Sequence, residues 1–358
     1  MKNILVILTY LLSISVTAQK TIEGKVIDYN KNPLYGASVF LNNTTIGTVT
    51  NEKGEFELKA SSDDYTLVIY FMGFKTFRKL IKVKDRHYLV IELEEQNELL
   101  DEVELVTNDS KQPNEFKDFD RLKESLIGNT NLAKRCKILN PEVLQYHLNS
   151  KTNELTVVSK KPIEIYNEGL GYKIYYDLVK LTTDSINTSF YGHTRYEELK
   201  GTKKQMKRWK RSRLRAYQGS MLHFFRSLYN NNFQEEGFIV NQFEKKKIIL
   251  KNGEKTEYIP VSEYLNQNDL VFKKHEKTFL NFNHLLEVIY TEEKEEWNYR
   301  GSKKQLNHQK SILHLVEKPI EILPSGKLSN PLGIFTERYW AYEKMANSLP
   351  SDYQPTKK

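Results

Sequence analysis

The sequence predicts a mainly β protein, in which an N-terminal β-sandwich is followed by a larger, β-rich α+β domain. Three observations indicate this fold class: residues 21–106 alternate apolar and polar side chains in short runs, residues 107–119 are polar, and later residues mix strand and helix spacing. Of the 358 residues, 39% are hydrophobic and 28% are charged, which suits a folded chain with a charged surface. One core rarely serves a chain of this length, so we expect two domains.

Residues 1–18 have the order of a cleavable export signal. Lys2 supplies a positive start, residues 4–16 form an apolar run, and Val16-Thr17-Ala18 is a small-residue cleavage pattern before Gln19. The run is short for a bilayer span, and an uncleaved anchor or a buried strand is the alternative. No cysteine follows the cleavage pattern, which argues against a lipid anchor. We therefore expect an exported protein in the periplasm, at the outer-membrane periphery or on the cell surface.

The first domain is expected to contain about seven short strands. The predicted strands cover residues 22–28, 36–41, 48–50, 56–58, 67–71, 80–83 and 89–93. Turn residues separate them, and Gly54 is predicted to take the positive φ that a tight hairpin needs. About seven strands in a domain of roughly 100 residues are typical of a β-sandwich.

The order of these motifs resembles the carboxypeptidase-like regulatory domain, a transthyretin-like β-sandwich common in exported proteins of Bacteroidetes-type bacteria. The resemblance is carried by Ile22-x-Gly24-x-Val26, Pro33-Leu34-x-Gly36-Ala37-x-Val39, Gly47-Thr48-x-Thr50, Gly54-x-Phe56 and Gly73-Phe74. It implies a regulatory-type β-sandwich over residues 20–106. It implies no reaction, because such domains accompany carboxypeptidases, receptor plugs and surface proteins without cleaving anything themselves.

Residues 107–119 are expected to be a linker, and residues 120–358 are expected to form an uncharacterised α+β domain. Apolar spacing predicts a helix over 122–132 and a last helix over 337–347. Strands are predicted over 143–148, 155–158, 163–165, 172–178 and 190–196. Asn252-Gly253, between two apolar segments, predicts a β-hairpin.

This second region also resembles the C-terminal part of a group of exported flavobacterial proteins with no established activity. The resemblance is carried by motifs such as Cys136-x-Ile138-x-Asn140-Pro141-Glu142, Leu170-Gly171-Tyr172 and Ala216-Tyr217-x-Gly219-Ser220. It implies a family relationship but no function.

The densest positive segment of the chain overlaps a predicted helix. Apolar residues recur every three or four positions from Leu214 to Leu228, which predicts a helix through this stretch. The positive segment consists of Lys203, Lys204, Lys207, Arg208, Lys210, Arg211, Arg213 and Arg215 around Trp209. These charges form either a solvated helix face or a binding site for an anion such as phosphate, an acidic glycan or a lipid headgroup. Nucleic acid would suit the same charges, but export makes it an unsuitable partner.

The single cysteine, Cys136, cannot form an intramolecular disulfide. Its neighbours Lys134, Arg135 and Lys137 would lower its pKa if the thiol were exposed. A buried, structural cysteine is the favoured interpretation.

Zinc carboxypeptidases bind zinc through a His and a Glu separated by two residues, together with a distant second His. His284 and Glu287 have this separation, and His308 or His314 is the candidate for the third ligand. The order of domains opposes this interpretation, since the regulatory domain normally follows the catalytic domain. His284 and Glu287 also lie in a strand-like segment at residues 279–290.

Other signatures of catalysis are not found in the sequence. Ser220 and His223 are close on a helix, but their spacing alone does not define a nucleophile and its base. We expect no cofactor and no metal. The predicted function is therefore a non-catalytic binding or scaffolding role at the cell envelope, peripheral to a membrane, with a protein, a glycan or a lipid headgroup as partner. The alternative is an envelope hydrolase of the zinc carboxypeptidase type.

Overall fold

The structure is a computed structural model that describes residues 20–60, 64–82, 88–96, 115–184, 187–250, 253–299 and 305–356. The predicted export signal lies outside these ranges, as does the greater part of the predicted linker. The chain divides into two compact units, and each is described by itself. One unit comprises Met1–Asn42 and Ile46–Leu100, and the other comprises Asn43–Thr45 and Asp101–Lys358.

The first unit is a β-sandwich of seven described strands. The strands are β1 Lys20–Ile27, β2 Ser38–Leu41, β3 Gly47–Val49, β4 Glu55–Ala60, β5 Asp64–Tyr70, β6 Phe77–Lys82 and β7 Leu89–Glu92. One sheet has the order β4-β1-β7, with β7 parallel to β1, and the other has the antiparallel order β3-β2-β5-β6. Alternate residues such as Phe56 and Leu58 are buried in the core that the two sheets share. The sandwich predicted from the alternating pattern is confirmed.

Gly54 shows why one turn of this sandwich needs a glycine. Its φ is +75°, as predicted, and its N–H donates to the Asn51 carbonyl at 2.8 Å to close the turn before β4. A Cβ at this position would lie 2.5 Å from the Val26 carbonyl oxygen, which no side chain could accommodate without a backbone shift.

The described residues of the second unit form three sheets and several helices. Its helices are α1 Glu115–Leu126, α2 Lys203–Tyr217, α3 Met221–Asn230, α4 Gln267–Leu270 and α5 Tyr339–Tyr342. Its strands are β8 Cys136–Ile138, β9 Leu144–Asn149, β10 Glu154–Ser159, β11 Ile163–Asn167, β12 Tyr172–Thr183, β13 Thr188–Glu198, β14 Phe238–Leu250, β15 Gly253–Ser262, β16 Val271–Lys274, β17 Lys277–Leu280, β18 Leu285–Tyr290, β19 Gln309–Leu315, β20 Ile320–Ile322 and β21 Ile334–Arg338. The mainly β class is therefore confirmed. None of the described helices combines the length and the apolar character that crossing a bilayer requires.

The long strand β12 organises the first sheet of this unit. It pairs with β13 along one edge, while β11 and β10 share its other edge at opposite ends. β8 and β9 complete the six-stranded sheet. The second sheet has the order β15-β14-β18-β19-β21, and the third has the order β16-β17-β20. The predicted hairpin is observed as the antiparallel pair β14–β15, and the strands predicted over 143–148 and 155–158 pair as β9 and β10.

Each of the two larger sheets is covered by helices. Leu122 and Leu126 of α1 and Ala216 of α2 belong to the core of the six-stranded sheet. Phe224 and Leu228 of α3 belong to the core of the five-stranded sheet. Apolar helix faces therefore supply the second layer that each sheet needs.

The helix predicted through Leu214 and Leu228 is in fact two helices, α2 and α3. The apolar spacing continues through the junction of the two helices, but the helical conformation of the backbone is interrupted there. Gly219 adopts a φ of +76°, and the Ser220 hydroxyl accepts the His223 N–H at 3.2 Å as the N-cap of α3. A positive-φ glycine followed by a capping serine ends one helix and starts the next, so each can cover a different core.

Two further predictions about helices need correction. Helix α1 begins at Glu115, inside the segment predicted to be a linker. The helix predicted over 337–347 is wrong: its first residues end strand β21, and only α5 and a 3-10 turn at Met345–Asn347 are helical. Pairing of β21 with β19 outweighs the local apolar spacing, and Arg338 at φ +66° then redirects the chain.

Arg226 of α3 holds the C-terminal segment against this unit. Its guanidinium is buried, and it donates to the carbonyl oxygens of Ser325 at 2.8 Å, Ser351 at 2.7 Å and Tyr353 at 2.8 Å. Three acceptors satisfy a cation that would be costly to bury without partners. The position of Tyr353 is therefore set by α3.

Candidate functional site

The predicted positive segment forms helix α2, which begins with a complete capping box. The Gln205 N–H donates to the Thr202 hydroxyl at 3.3 Å, and the Thr202 N–H donates to the Gln205 side-chain oxygen at 2.8 Å. The first turn contains no acidic residue and carries Lys203 and Lys204 instead. Cations at the N-terminal end of a helix interact unfavourably with its dipole, so Lys203 and Lys204 do not stabilise α2.

Trp209 lies on the buried side of α2 and is only 2% exposed. Its indole N–H donates to the Glu168 carbonyl oxygen at 2.8 Å. Two glycines make room for the ring, because a Cβ would lie 2.2 Å from it at Gly171 and 2.6 Å from it at Gly201. Trp209, at the centre of the predicted positive segment, is therefore a packing residue.

Arg213 is the second buried member of the segment, with an exposed fraction of 9%. It donates to the carbonyl oxygens of Leu170 at 2.8 Å and Gly171 at 3.0 Å, and to the Glu198 carboxylate at 2.6 Å. Its guanidinium carbon also lies 3.9 Å from the centre of the Tyr172 ring, in the geometry of a cation–π contact. These contacts attach α2 to the corner between β11 and β12.

Arg208 is half-buried and shares one carboxylate with a second arginine. Its guanidinium lies 2.9 Å from Glu168, and that of Arg135 lies 3.0 Å from the same oxygen. The two arginines hold the pKa of Glu168 below its usual value, with the Arg135 hydrogen bond as the largest cause. Arg208 therefore forms an ion pair within the fold.

The other six cations of the segment point to solvent and are called the basic face. The basic face consists of Lys203, Lys204, Lys207, Lys210, Arg211 and Arg215. Arg215 faces Glu293, where burial raises the carboxyl pKa to about 7 although the arginine opposes the change. None of the other five forms an ion pair with a carboxylate of the described residues. The predicted patch thus separates into three residues that fix the helix and six that face water.

A cleft of about 380 Å³ runs beside the N-terminal half of α2. One wall is α2, where Met206, Trp209 and Lys210 contribute, and the other is the C-terminal segment with Tyr353 and Thr356. The sequence analysis missed this second wall. Long-range contacts, such as those of Arg226 with Ser351 and Tyr353 and of Tyr217 with Tyr353, bring the distant segment here, and no local sequence pattern indicates them.

His223 and Ser220 do not form a catalytic pair. The Ser220 hydroxyl donates to the Tyr217 carbonyl oxygen at 2.7 Å, away from the imidazole. The His223 Nδ1 accepts the Gly219 N–H at 3.2 Å, so its Nε2 carries the proton and donates to Glu236 at 3.1 Å. Burial lowers the pKa of His223, and the hydrogen bond to Glu236 only partly opposes this. The imidazole is a packed, neutral link between α3 and the residues before β14.

The candidate zinc ligands are engaged elsewhere or exposed. Glu287 accepts from Arg338 at 2.5 Å, and His314 lies 2.7 Å from Glu337. His284 lies in the turn before β18 with a φ of +60°, so the strand predicted over 279–290 is interrupted, and His308 is exposed. Within the described ranges, no group of three or more His, Cys, Asp or Glu side chains could hold a metal ion.

Cys136 is buried at the start of β8, as the structural interpretation predicts. Its thiol donates to the Leu132 carbonyl oxygen at 3.5 Å. Burial raises its pKa to about 12, outweighing Lys123 and Arg135, which favour the thiolate. The thiol therefore stays protonated at neutral pH.

Comparison with known proteins identifies the first unit. A family model described as the CarboxypepD_reg-like domain matches residues 22–105, which confirms the resemblance inferred from the motifs. The TonB-dependent receptor SusC of Bacteroides thetaiotaomicron is 33% identical over 96 residues, covering 26% of this chain. The match spans only 9% of the receptor's own length.

Solved structures give no further guidance on the second unit. A protein of unknown function from Bacteroides fragilis aligns with 89% of this chain and 95% of its own, at 10% identity and a TM-score of 0.18. A 9R-lipoxygenase from Cyanothece aligns with 63% of this chain and 52% of its own, at 9% identity and a TM-score of 0.15. Scores this low carry no argument about the fold.

Replacing Gly171 with alanine is expected to destabilise the protein by about 3 kcal/mol, because it combines positive-φ strain with a clash against Trp209. Gly36→Ala, in the first unit, is the control for positive-φ strain alone, since Gly36 has open space around it, and we expect a loss of about 1 kcal/mol there. Urea unfolding followed by far-UV circular dichroism measures both. Equal losses in the two variants would show that the Trp209 contact is not tight.

The contribution of His223 to stability is expected to fall as the pH is lowered below about 6.5, because burial depresses the pKa of His223 in the folded state. The unfolded chain then binds a proton that the folded chain resists, so acid favours unfolding. His223→Gln should reduce the slope of the urea midpoint between pH 7.5 and 5.5, whereas exposed His308→Gln should not. An unchanged slope in His223→Gln would contradict the assignment.

Proposed function

We propose that this chain, whose residues 22–105 are a CarboxypepD_reg-like domain, is a non-catalytic binding or scaffolding protein of the cell envelope. In this proposal it is exported by residues 1–18 and acts in the periplasm, at the outer-membrane periphery or on the cell surface. The order of charged, apolar and small residues in that segment supports export. The occurrence of a similar segment in a TonB-dependent receptor supports an envelope setting.

The proposed contact is the basic face of α2, which binds an anionic envelope component. The observation that carries this proposal is the set of five cations that form no ion pair within the described part of the chain. Lys203, Lys207 and Arg211 are spaced four residues apart and therefore lie in one row along the helix. A row of like charges creates a local potential that attracts a polyanion.

The charge of the basic face weakens the helix that carries it. Cations four residues apart repel each other by a few tenths of a kcal/mol per pair, and those in the first turn oppose the dipole. Trp209 and Arg213 hold the helix on its other side. Unfavourable surface charge that is maintained by buried contacts is consistent with a role in binding.

Several contacts support binding in preference to catalysis. Ser220, His223, Glu287 and His314, the side chains considered for catalysis, all make hydrogen bonds or ion pairs inside the fold. The proposed partner is a protein, a glycan or a lipid with a negative charge. Export makes nucleic acid an unsuitable partner.

Reversing three charges of the basic face tests the proposal. Lys203→Glu/Lys204→Glu/Arg211→Glu should weaken binding to phosphatidylglycerol-containing vesicles or to heparin by at least about 100-fold at low ionic strength, since each cation contributes about 1 kcal/mol near an anionic surface. The matched control is Lys137→Glu/Lys273→Glu/Lys274→Glu, which reverses three exposed cations on other elements of the same unit.

Vesicle sedimentation and heparin retention measure the two kinds of binding. Binding of the unchanged protein should also decline at high ionic strength, because salt screens exposed charges. Equal binding of both triple variants, whether retained or lost, would overturn the assignment to the basic face.

A further inference from the structure

The cleft beside α2 has the size of a small-ligand site. Its volume of about 380 Å³ lies at the lower end of the roughly 300–1,000 Å³ found for ligand pockets. It is bounded by α2 and by the C-terminal segment, both in the second unit.

The interior of the cleft is mainly apolar. Tyr353 contributes ring surface, Met206 contributes a flexible thioether side chain, and Trp209 lines the cleft with the small part of its ring that is not buried. Met206 is 44% exposed although it stands among lysines on a charged helix. Methionine adapts its shape to apolar ligands, so its position at an open apolar cleft favours an aliphatic occupant.

Both walls of the cleft are held by buried contacts. Trp209 is fixed by its hydrogen bond to Glu168 and by its packing on Gly171 and Gly201. The opposite wall is fixed because Arg226 donates to the Tyr353 carbonyl oxygen at 2.8 Å. A preformed site loses little conformational freedom on binding.

The mouth of the cleft is positively charged. Lys207 and Lys210 line it, and no carboxylate is among the described residues that do. Both lysines belong to the basic face and form no ion pair with described carboxylates. An occupant with an apolar body and a negative end would therefore match the cleft in polarity and in charge.

We infer that this cleft binds an anionic amphiphile, with its acyl chain against Met206, Trp209 and Tyr353 and its headgroup on Lys207 and Lys210. The inference rests on the proposed function, since it makes the partner of the basic face a lipid. A glycan or a peptide would need several hydrogen-bonding groups inside the cleft, whereas the polar side chains Gln354 and Thr356 stand on one wall only.

The dependence of affinity on chain length is the first test. Isothermal titration calorimetry of the purified protein with octanoate, decanoate and dodecanoate should show affinity rising by about fourfold per added methylene until the cleft is filled. Butyrate has the same headgroup without the chain and should not bind measurably. Equal affinity along the series would overturn the inference.

Two variants then locate the binding. Thr356→Trp places a large ring in the cleft and should weaken dodecanoate binding at least 10-fold, whereas Thr152→Trp, in the exposed turn between β9 and β10, should not. Lys207→Gln/Lys210→Gln should weaken dodecanoate about 30-fold but leave binding of uncharged dodecyl maltoside unchanged. An unchanged dodecanoate affinity in Thr356→Trp would overturn the inference.

Failure of this inference can be told apart from failure of the proposed function. Lys203, Lys204 and Arg211 do not line the cleft. Their reversal should abolish heparin binding while dodecanoate binding is largely retained. If Thr356→Trp abolishes heparin binding and spares dodecanoate, the cleft holds a glycan and the inference is wrong, although the basic face still binds anions. If dodecanoate binds as inferred but heparin and vesicle binding survive the triple reversal, the proposed function of the wider face is wrong.

Discussion

The burial of Arg213 against the corner between β11 and β12 is the interaction on which the candidate site depends. Its guanidinium meets two backbone carbonyl oxygens, the Glu198 carboxylate and the face of Tyr172 at the same time. A buried charge that loses its partners costs several kcal/mol, so these contacts are needed together. They fix the rotation of α2 about its axis, and Trp209 on the same side reinforces that orientation. The six cations of the basic face therefore point to solvent, whereas Arg208 pairs with Glu168.

The orientation of α2 links the fold to the proposed function. Because its buried side holds the helix, its exposed side can carry charges that repel each other and oppose the dipole. Met206 and Lys210 then stand at the border between the two sides, where the C-terminal segment approaches. That segment is positioned by Arg226, a second buried arginine with three carbonyl acceptors. Arg213 and Arg226, both with carbonyl oxygens as acceptors, thus determine the positions of the basic face and of both walls of the cleft.

The sequence predicts those features that depend on neighbouring residues. The first unit was predictable because each half-buried strand alternates apolar and polar side chains, and because Gly54 marks a turn only glycine accommodates. The break between α2 and α3 was missed because the apolar spacing of Leu214 and Tyr217 continues into α3. The burial of Arg213 depends on acceptors from the turn between β11 and β12 and from Glu198 of β13, and the cleft depends on Tyr353 far along the chain. Charge composition alone cannot separate a cation that anchors a helix from one that faces a ligand.

Protection of individual lysines against acetylation tests the central claim most directly. The intact protein is treated with an amine-reactive ester, with and without phosphatidylglycerol-containing vesicles, and each site is quantified by mass spectrometry. The account predicts reduced acetylation of Lys203, Lys204, Lys207 and Lys210, and unchanged acetylation of exposed lysines on β16, Lys273 and Lys274. Protection of the β16 lysines with no protection on α2 would contradict it.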